Sequence, residues 1–344
     1  MMSGPRYSCV HCAKLAGSEP GPARIYVYSP SGAVRDRAAF KRGIKNLRSL
    51  GCEVELDPQA LSRSQRFAGD DQARIEAIHR AADSGADVAL ISRGGYGLTR
   101  LLDRLDYDLL HAAVHTRGTQ FVGYSDFTAL QLAMLAQRGT LSWAGPALGG
   151  DFGSLDGPDE LMQACFEDVL AGQAEGTGWR LPPADLRYLD LLAPEVANRP
   201  VQNAVLWGGN LAVLCALAGS PYFPAVEGGV MFVEDVGVHP YQIERMLTQL
   251  LRAGILQRQS VILLGSFTEF KLTPHDKGFG LPSVISWLRS QLPNTPVLTG
   301  LPFGHVATKV MLPVGARVSL EVAGRDAMLM WGHIGHEHDD GEHV

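Results

Sequence analysis

One serine lies where an apolar, strand-like run meets an apolar, helix-like run, in the stretch FVGYSDFTAL of residues 121–130. Ser125 is therefore predicted to occupy a sharp strand-to-helix turn, where a hydroxyl is held clear of the sheet beside unpaired backbone N–H groups. That is a position for a nucleophile. It is equally a position for an ordinary N-cap, because serine is among the residues that best close the start of a helix. These ten residues leave both roles open.

A serine hydroxyl attacks an amide only when a base takes its proton and a further group orients that base. Glu234 lies at the end of the apolar run GVMFVED, where a carboxylate is costly unless it is paired or faces a cleft. His305 lies in TGLPFGHVATK, a loop bracketed by glycine and proline. In chain order, Ser125, Glu234 and His305 give nucleophile, acid and base. This order is found in enzymes whose nucleophile lies on a sharp strand-to-helix turn at the end of a sheet. A salt bridge for Glu234 and a structural role for His305 are the alternatives.

A glycine-rich loop, SRGGYG over residues 92–97, offers a second requirement of acyl transfer. Its unshielded N–H groups can approach a developing oxyanion, and one such donor contributes about 10²–10³ in rate. The loop lacks the spacing G-x-G-x-x-G, so nucleotide binding is not predicted. The elbow signature G-x-S-x-G is only half met, because Phe127 replaces the second glycine, and a standard α/β-hydrolase is therefore not expected.

Strand-like and helix-like segments alternate from Arg24 to about Gly150 with short connections, which predicts an α/β fold with a parallel sheet and helices on both faces. In such sheets the ligand site lies at the carboxyl ends of the strands, where RGGYG and GYSD both fall. The chain is divided into a flexible leader over 1–23, a nucleophile domain over 24–175, a proline-rich linker over 176–200, a mixed α/β domain over 201–334 and a flexible tail over 335–344.

The composition describes a globular protein, with 344 residues, 46% of them hydrophobic and 19% charged. The net charge of −6 without a basic stripe argues against a nucleic-acid partner. No stretch approaches the roughly 20 apolar residues of a membrane helix, and the first residues lack the apolar core of a secretory signal. Five widely spread cysteines do not form a disulfide framework, so a reducing cytoplasm is expected.

A metal site is the one cofactor that the ends of the chain suggest. Cys9 and Cys12 are spaced like half of a zinc site, and His333, His336 and His338 lie near the other terminus. The second half of such a site is missing near the cysteines, so both segments are interpreted as solvated tails. No metal and no other cofactor are predicted.

Six segments resemble, in order and spacing, the LD-carboxypeptidases of the S66 serine peptidases: RFAGDDQARIEAI, RGGYG, GYSDFTAL, WGGNL, EDV followed by ERMLTQL, and GLPFGH. The resemblance covers about residues 24–334. It implies an N-terminal parallel domain like that of class I glutamine amidotransferases and a C-terminal swivelling β/β/α domain. It also implies Ser125 as nucleophile, His305 as general base and Glu234 as the group that orients it. The backbone N–H groups of Gly95 and Asp126 would then form the oxyanion hole.

The resemblance further implies a homodimeric, cytoplasmic enzyme that removes the terminal D-Ala from the murein tetrapeptide L-Ala-γ-D-Glu-meso-diaminopimelate-D-Ala during cell-wall recycling. A substrate with several carboxylates needs a positively charged side chain to bind it, and Arg93 is the candidate. A surface ion pair or a structural role in supporting the loop is the alternative for Arg93. Tyr96 and Trp207 are candidates for the cleft wall, and core packing is their alternative. Two other functions stay open: a microcin C immunity-type peptidase of the same superfamily, and a non-catalytic cell-wall peptide-binding protein.

Overall fold

The computed structural model describes residues 21–334, so the predicted tail and the first 20 residues of the leader lie outside it. The described chain forms two β-sheets with helices packed on them. Its strands are β1 (Arg24–Tyr28), β2 (Glu53–Leu56), β3 (Val88–Ile91), β4 (Gln120–Gly123), β5 (Ser142–Ala144), β6 (Gly176–Arg180), β7 (Val201–Asn210), β8 (Val230–Val236), β9 (Val261–Thr268), β10 (Val297–Thr299), β11 (Leu312–Val314), β12 (Arg317–Ala323) and β13 (Asp326–Met330).

Helices connect most of these strands. They are α1 (Arg37–Ser49), α2 (Asp71–Asp83), α3 (Tyr107–His115), α4 (Thr128–Arg138), α5 (Glu160–Ala171), α6 (Pro183–Leu189), α7 (Pro194–Ala197), α8 (Leu211–Leu217), α9 (Pro240–Arg252) and α10 (Leu281–Gln291). The segment LTRLLDRL forms the two 3₁₀ turns Leu98–Arg100 and Leu102–Arg104. Within the described chain, none of the helices has the length and apolar character needed to cross a membrane.

Local sequence explains where the helices of the first half begin and end. The side chains of Asp36, Asp70 and Asp106 each accept a hydrogen bond from the backbone N–H three residues later, which caps α1, α2 and α3. Helix α4 ends at Gly139, whose φ of +63° is the left-handed conformation that glycine adopts at low cost.

The first sheet has the strand order β11-β5-β4-β3-β1-β2. All pairs among β1 to β5 are parallel, which confirms the predicted parallel sheet, and β11 is antiparallel to β5 at one edge. Strands β3 and β4 are direct neighbours, with Leu90 opposite Val122. The glycine loop after β3 and the serine turn after β4 therefore leave the sheet side by side.

The second sheet has the order β10-β9-β8-β7-β12-β13-β6. Strands β7 to β10 are parallel, whereas β12, β13 and β6 add in antiparallel pairs, so the expected mixed α/β character is confirmed. In this sheet Asn210 on β7 lies opposite Glu234 on β8. Both residues lie toward the carboxyl ends of parallel strands.

The two halves exchange chain segments at their borders, which corrects the predicted linker. Residues 176–200 carry β6, α6 and α7, and β6 pairs with β13 at the edge of the second sheet. Three of the four prolines in this range, Pro182, Pro183 and Pro194, lie at helix starts, where the fixed φ of proline suits the first turn, and Pro200 directly precedes β7. In the other direction β11 leaves the second half to join the first sheet.

Helix α4 is the central element between the halves, because every residue from Thr128 to Met134 is buried. One apolar cluster contains Phe127 and Leu130 from the first half together with Leu214 from the second. The serine turn at the start of α4 is therefore fixed from both sides.

Candidate active site

Ser125 lies on a strained turn, as the sequence predicts. It follows β4 and Tyr124, opens the 3₁₀ turn Ser125–Phe127, and has a φ of +65°. A non-glycine residue adopts such a φ only where its surroundings impose it. Gly123 has no room for a side chain, since a Cβ there would lie 2.6 Å from Cδ1 of Ile91. Ser125 is half-buried and lines a pocket of about 360 Å³.

The glycine loop forms the wall beside the nucleophile. Gly94 lies against Ser125, and a Cβ at Gly94 would be 3.4 Å from the backbone N of Asp126. The carbonyl of Gly94 accepts a hydrogen bond from the Gly32 N–H at 3.2 Å. In a trans peptide the N–H of Gly95 points the opposite way, away from Gly32. The Asp126 N–H belongs to the first helical turn, where N–H groups lack intrahelical acceptors.

The sequence predicts a role only for the backbone N–H of Asp126, but the side chain of Asp126 also contributes to the site. Its carboxylate is buried and accepts a hydrogen bond from the Leu98 N–H at 3.0 Å, which ties the end of the glycine loop to the serine turn. Burial raises the pKa of Asp126, and the hydrogen bonds offset part of that rise. From the other side, fully buried Arg74 donates to the Gly97 carbonyl at 3.0 Å.

His305 and Glu234, the predicted base and the predicted group that orients it, are in direct contact. The Nδ1 of His305 is 2.7 Å from Oε2 of Glu234, which is fully buried at the end of β8, while the imidazole is 19% exposed toward the pocket. In the tautomer whose Nδ1–H donates to this carboxylate, Nε2 is left as the acceptor. His305 lines the same pocket as Ser125. No hydrogen bond joins these two described residues.

Asn210 is a site residue that sequence reasoning missed. Its Nδ2 donates to Oε1 of Glu234 at 3.2 Å and to Oδ1 of Asp235 at 3.0 Å, and its backbone N–H donates to Oγ1 of Thr128 at 3.0 Å. Thr128 lies three residues after Ser125. The Asn210 side chain therefore holds the Glu234 carboxylate in place, while the Asn210 backbone N–H contacts the start of helix α4. An asparagine directly after the buried segment LWGG was the available signal.

The aromatic ring of Tyr124 lines the pocket together with Ser125 and His305. Its centre lies 4.9 Å from that of the His305 ring. Burial raises the pKa of Tyr124 well above its ordinary value, and the charges of Asp151 and Glu234 add to the rise. The phenol is therefore neutral at physiological pH and presents an uncharged face to the imidazole.

The candidate substrate contacts fall in three different environments. Arg93 lines the pocket together with Arg35, and it also donates to the Ala33 carbonyl at 3.1 Å, so it both faces the cleft and braces the loop. Burial lowers the pKa of Arg93, as do the neighbouring charges of Arg35 and Arg66. Tyr96 is 45% exposed and is not one of the residues that line the pocket.

Trp207 does not wall the cleft, which corrects the expectation. It is fully buried, its Nε1 donates to Oε1 of Gln259 at 2.9 Å, and its ring meets Phe223 edge-on. Its position inside β7 turns the side chain into the core of the second half, and that direction could not be read from composition.

The metal candidates are not tested by this structure. Cys9, Cys12, His336 and His338 lie outside the described residues. Between residues 21 and 334, no group of three or more histidine, cysteine, aspartate and glutamate side chains is arranged to hold a metal ion.

Comparison with known proteins places this geometry among peptidases. The family model for the LD-carboxypeptidase N-terminal domain matches residues 25–145, and that for the C-terminal domain matches residues 203–320. A Streptomyces coelicolor protein, provisionally named a carboxypeptidase, is 32% identical, with 91% of this chain and 93% of its own length covered. The murein tetrapeptide carboxypeptidase of Pseudomonas aeruginosa is 28% identical over 88% of this chain and 94% of its own.

Solved structures agree. The muramoyltetrapeptide carboxypeptidase from Oxalobacter formigenes superposes with a TM-score of 0.76 at 37% identity, covering 90% of this chain and 99% of that one. The microcin C7 self-immunity protein also has a TM-score of 0.76, over 92% of this chain and 98% of its own, but its 22% identity shows a shared fold alone.

Proposed function

The chain belongs to the LD-carboxypeptidase family of serine-type carboxypeptidases, and on that premise we propose that it removes the terminal D-Ala from the murein tetrapeptide by a Ser125–His305–Glu234 mechanism. One observation carries the proposal. The hydroxyl on the strained turn and the imidazole bound to a buried carboxylate at 2.7 Å line the same pocket. A structural serine cap or a structural histidine would need neither the shared pocket nor the buried carboxylate.

In the acylation step, Oγ of Ser125 attacks the amide carbon as Nε2 of His305 accepts the hydroxyl proton. The new C–O bond places negative charge on the former carbonyl oxygen, which the N–H groups of Gly95 and Asp126 are proposed to bind. Collapse breaks the C–N bond, and the departing D-Ala amine takes the proton from His305. The peptide stays attached to Ser125 as an ester.

In the second step, His305 takes a proton from water, whose oxygen attacks the ester carbon. The C–O bond to Ser125 breaks, and the proton returns to the serine oxygen. Glu234 stays ionised throughout and stabilises the imidazolium. Asn210, which donates to the other oxygen of Glu234, keeps that carboxylate in its orientation.

Ser125 and His305 are not hydrogen-bonded here, so proton transfer requires Oγ of Ser125 and Nε2 of His305 to come closer within the pocket that both line. The resemblance implies a glutamine amidotransferase-like first domain and a swivelling β/β/α second domain, and we propose that substrate binding brings the imidazole and the hydroxyl together across them. Catalytic hydrogen bonds are often long before substrate binds, so the open geometry agrees with this proposal.

Positive charge at the pocket supports an acidic peptide substrate. Arg35 and Arg93 line the pocket, and within residues 21–334 neither makes an ion pair with a carboxylate. A guanidinium that has no carboxylate partner in the protein is suited to bind a carboxylate of the ligand through two hydrogen bonds. Cell-wall recycling in the cytoplasm and a homodimer complete the proposal, and fractionation and sedimentation velocity test them.

The test is release of D-Ala from purified tetrapeptide, followed by mass spectrometry, for the wild type and Ser125→Ala. We expect release by the wild type only, and no release from a matched peptide that ends in L-Ala. Equal release by both proteins would refute the role of Ser125. A wild type that leaves the tetrapeptide intact but cleaves an aminoacyl sulfamoyl adenosine would favour the immunity-type alternative instead.

A further inference from the structure

A buried ion pair joins the segment that carries the base to the half that carries the nucleophile. Nζ of Lys309 contacts Oδ1 of Asp151, and the two side chains are 1% and 5% exposed. Lys309 follows His305 by four residues in the second half, whereas Asp151 belongs to the π-helical turn Leu148–Phe152 of the first half. Neither side chain has a role in the mechanism above.

Asp151 also shapes the pocket. Its second oxygen, Oδ2, accepts a hydrogen bond from the Ala147 N–H at 2.7 Å. Ala147, Gly149 and Gly150 line the pocket beside Ser125 and His305. One carboxylate therefore holds the pocket wall with one oxygen and the base segment with the other.

Lys309 is placed against the nucleophile turn as well. Its Nζ lies 4.3 Å from the centre of the Tyr124 ring, a cation–π distance. Tyr124 directly precedes Ser125, and the same ring lies 4.9 Å from that of His305. A single ammonium group thus contacts both the wall and the residue between nucleophile and base.

Two further contacts anchor the same segment to the first half. Oγ1 of Thr308 donates to Oδ2 of Asp159 at 2.7 Å, and β11 begins three residues after Lys309 as an edge strand of the first sheet. The Thr308 contact is exposed, whereas β11 is buried at the edge of its sheet and Lys309 and Asp151 are buried as well. A buried ion pair is weak evidence for stability, since an apolar pair of similar volume often stabilises as well. Its geometry, which fixes a direction and a distance, is what an apolar pair cannot reproduce.

We propose that Lys309 and Asp151 are positioning residues, which set the distance between His305 and Ser125 by clamping the base segment to the pocket wall and to Tyr124. The proposal rests on the proposed function, because it assigns these residues to the same proton transfer. They would touch neither substrate nor the reacting atoms.

The test replaces both partners at once, Lys309→Met with Asp151→Asn, so that no buried charge is left unpaired and residue 151 keeps an oxygen for the Ala147 N–H. The matched control is Arg289→Met with Asp185→Asn, which removes a pair of 12% and 2% exposure that lies outside the pocket. Steady-state kinetics on the tetrapeptide are combined with amide hydrogen exchange over residues 305–311.

We expect kcat of Lys309→Met with Asp151→Asn, the clamp variant, to fall about 10- to 100-fold, because displacing catalytic groups by about 1 Å has an effect of this size. KM is expected to stay within about threefold of the wild-type value. Exchange over 305–311 is expected to quicken in this variant and not in the control. A kcat no lower than that of the control overturns the proposal. Should Lys309→Met with Asp151→Asn not fold, Lys309→Gln with Asp151→Asn keeps a polar contact with a shorter side chain, and the same two results are expected of it.

The two readouts separate this inference from the proposed function. If the wild type releases no D-Ala, the proposed function fails, and amide hydrogen exchange alone tests this inference. Faster exchange over 305–311 in the clamp variant then supports the proposal that Lys309 and Asp151 hold this segment, and unchanged exchange overturns it. If the wild type is active, kinetics and exchange must change together.

Discussion

A side-chain carbon on Gly94 would lie 2.7 Å from Cβ of Ser125 and 2.8 Å from its Oγ. Real Cβ atoms do not make contacts this short, so position 94 admits no side chain while Ser125 keeps its place. The glycine loop can therefore approach the nucleophile closely enough to bring its N–H groups beside the reacting atoms. Gly95, the glycine that the sequence singled out, is next to this contact rather than part of it.

Gly94→Ala is accordingly predicted to lower kcat/KM by about 10²-fold or more, because either the loop or the hydroxyl must move. Gly280→Ala is the matched control, since its nearest contacts would be at 3.7 Å and its backbone is extended. Steady-state kinetics of both variants on the tetrapeptide provide the measurement. Near wild-type kcat/KM for Gly94→Ala would show that the loop can retreat without consequence.

Glu234→Gln is predicted to lower kcat by about 10²- to 10⁴-fold, because a neutral amide neither fixes the Nδ1–H tautomer of His305 nor stabilises the imidazolium. Asp235→Asn is the control, since both carboxylates accept from Asn210 but only Glu234 contacts the imidazole. We expect this control to lose far less kcat. Similar losses in the two variants would mean that the Asn210 network, rather than the contact with His305, carries the effect.

The sequence predicted the first half well because its signals are local. The alternation of strands and helices, the caps of α1 to α3 and the glycine after α4 all follow from residues within a few positions of each other. The serine turn was predictable for the same reason, since it is indicated by the apolar runs directly before and after Ser125.

The contacts between the halves could not be predicted in this way. The pairing of β6 with β13 joins residues about 150 positions apart, and β11 leaves its own half for the first sheet. Lys309 and Asp151 meet across 158 positions, and a lysine after a loop histidine resembles any exposed lysine until the fold buries it. The inward direction of Trp207 depends equally on which sheet face the second half covers.

Acid sensitivity is predicted at Asp57. Burial by itself raises the pKa of this carboxyl, but hydrogen bonds from Arg80, at 2.8 Å, and Tyr26, at 2.7 Å, outweigh burial and hold the pKa below its ordinary value. The folded pKa is thus below the unfolded one. The stabilisation is complete above the unfolded pKa of about 3.9 and is lost as pH falls through the folded pKa.

Asp57→Asn should therefore lower Tm at neutral pH, by the equivalent of about 1.5–3 kcal/mol for hydrogen bonds to a charged group. The gap between the two proteins is expected to stay constant from pH 7 to about 5 and to close as pH falls below the unfolded pKa of about 3.9 and through the folded pKa. Thermal unfolding followed by circular dichroism over this range measures it, with exposed Asp156→Asn as control. A gap that does not depend on pH would contradict the assignment.

Two arginines close in sequence differ in their position relative to the pocket mouth. Arg35 is exposed and lines the pocket, whereas Arg37 is exposed two residues further on and does not line it. Arg35→Gln is predicted to raise KM for the tetrapeptide about tenfold with kcat nearly unchanged, because a charge-assisted contact to substrate is lost in ground and transition state alike. Arg37→Gln removes the same net charge and is expected to leave KM close to the wild-type value. Equal increases in the two variants would show that the overall field, not a contact at the pocket, draws the acidic peptide in.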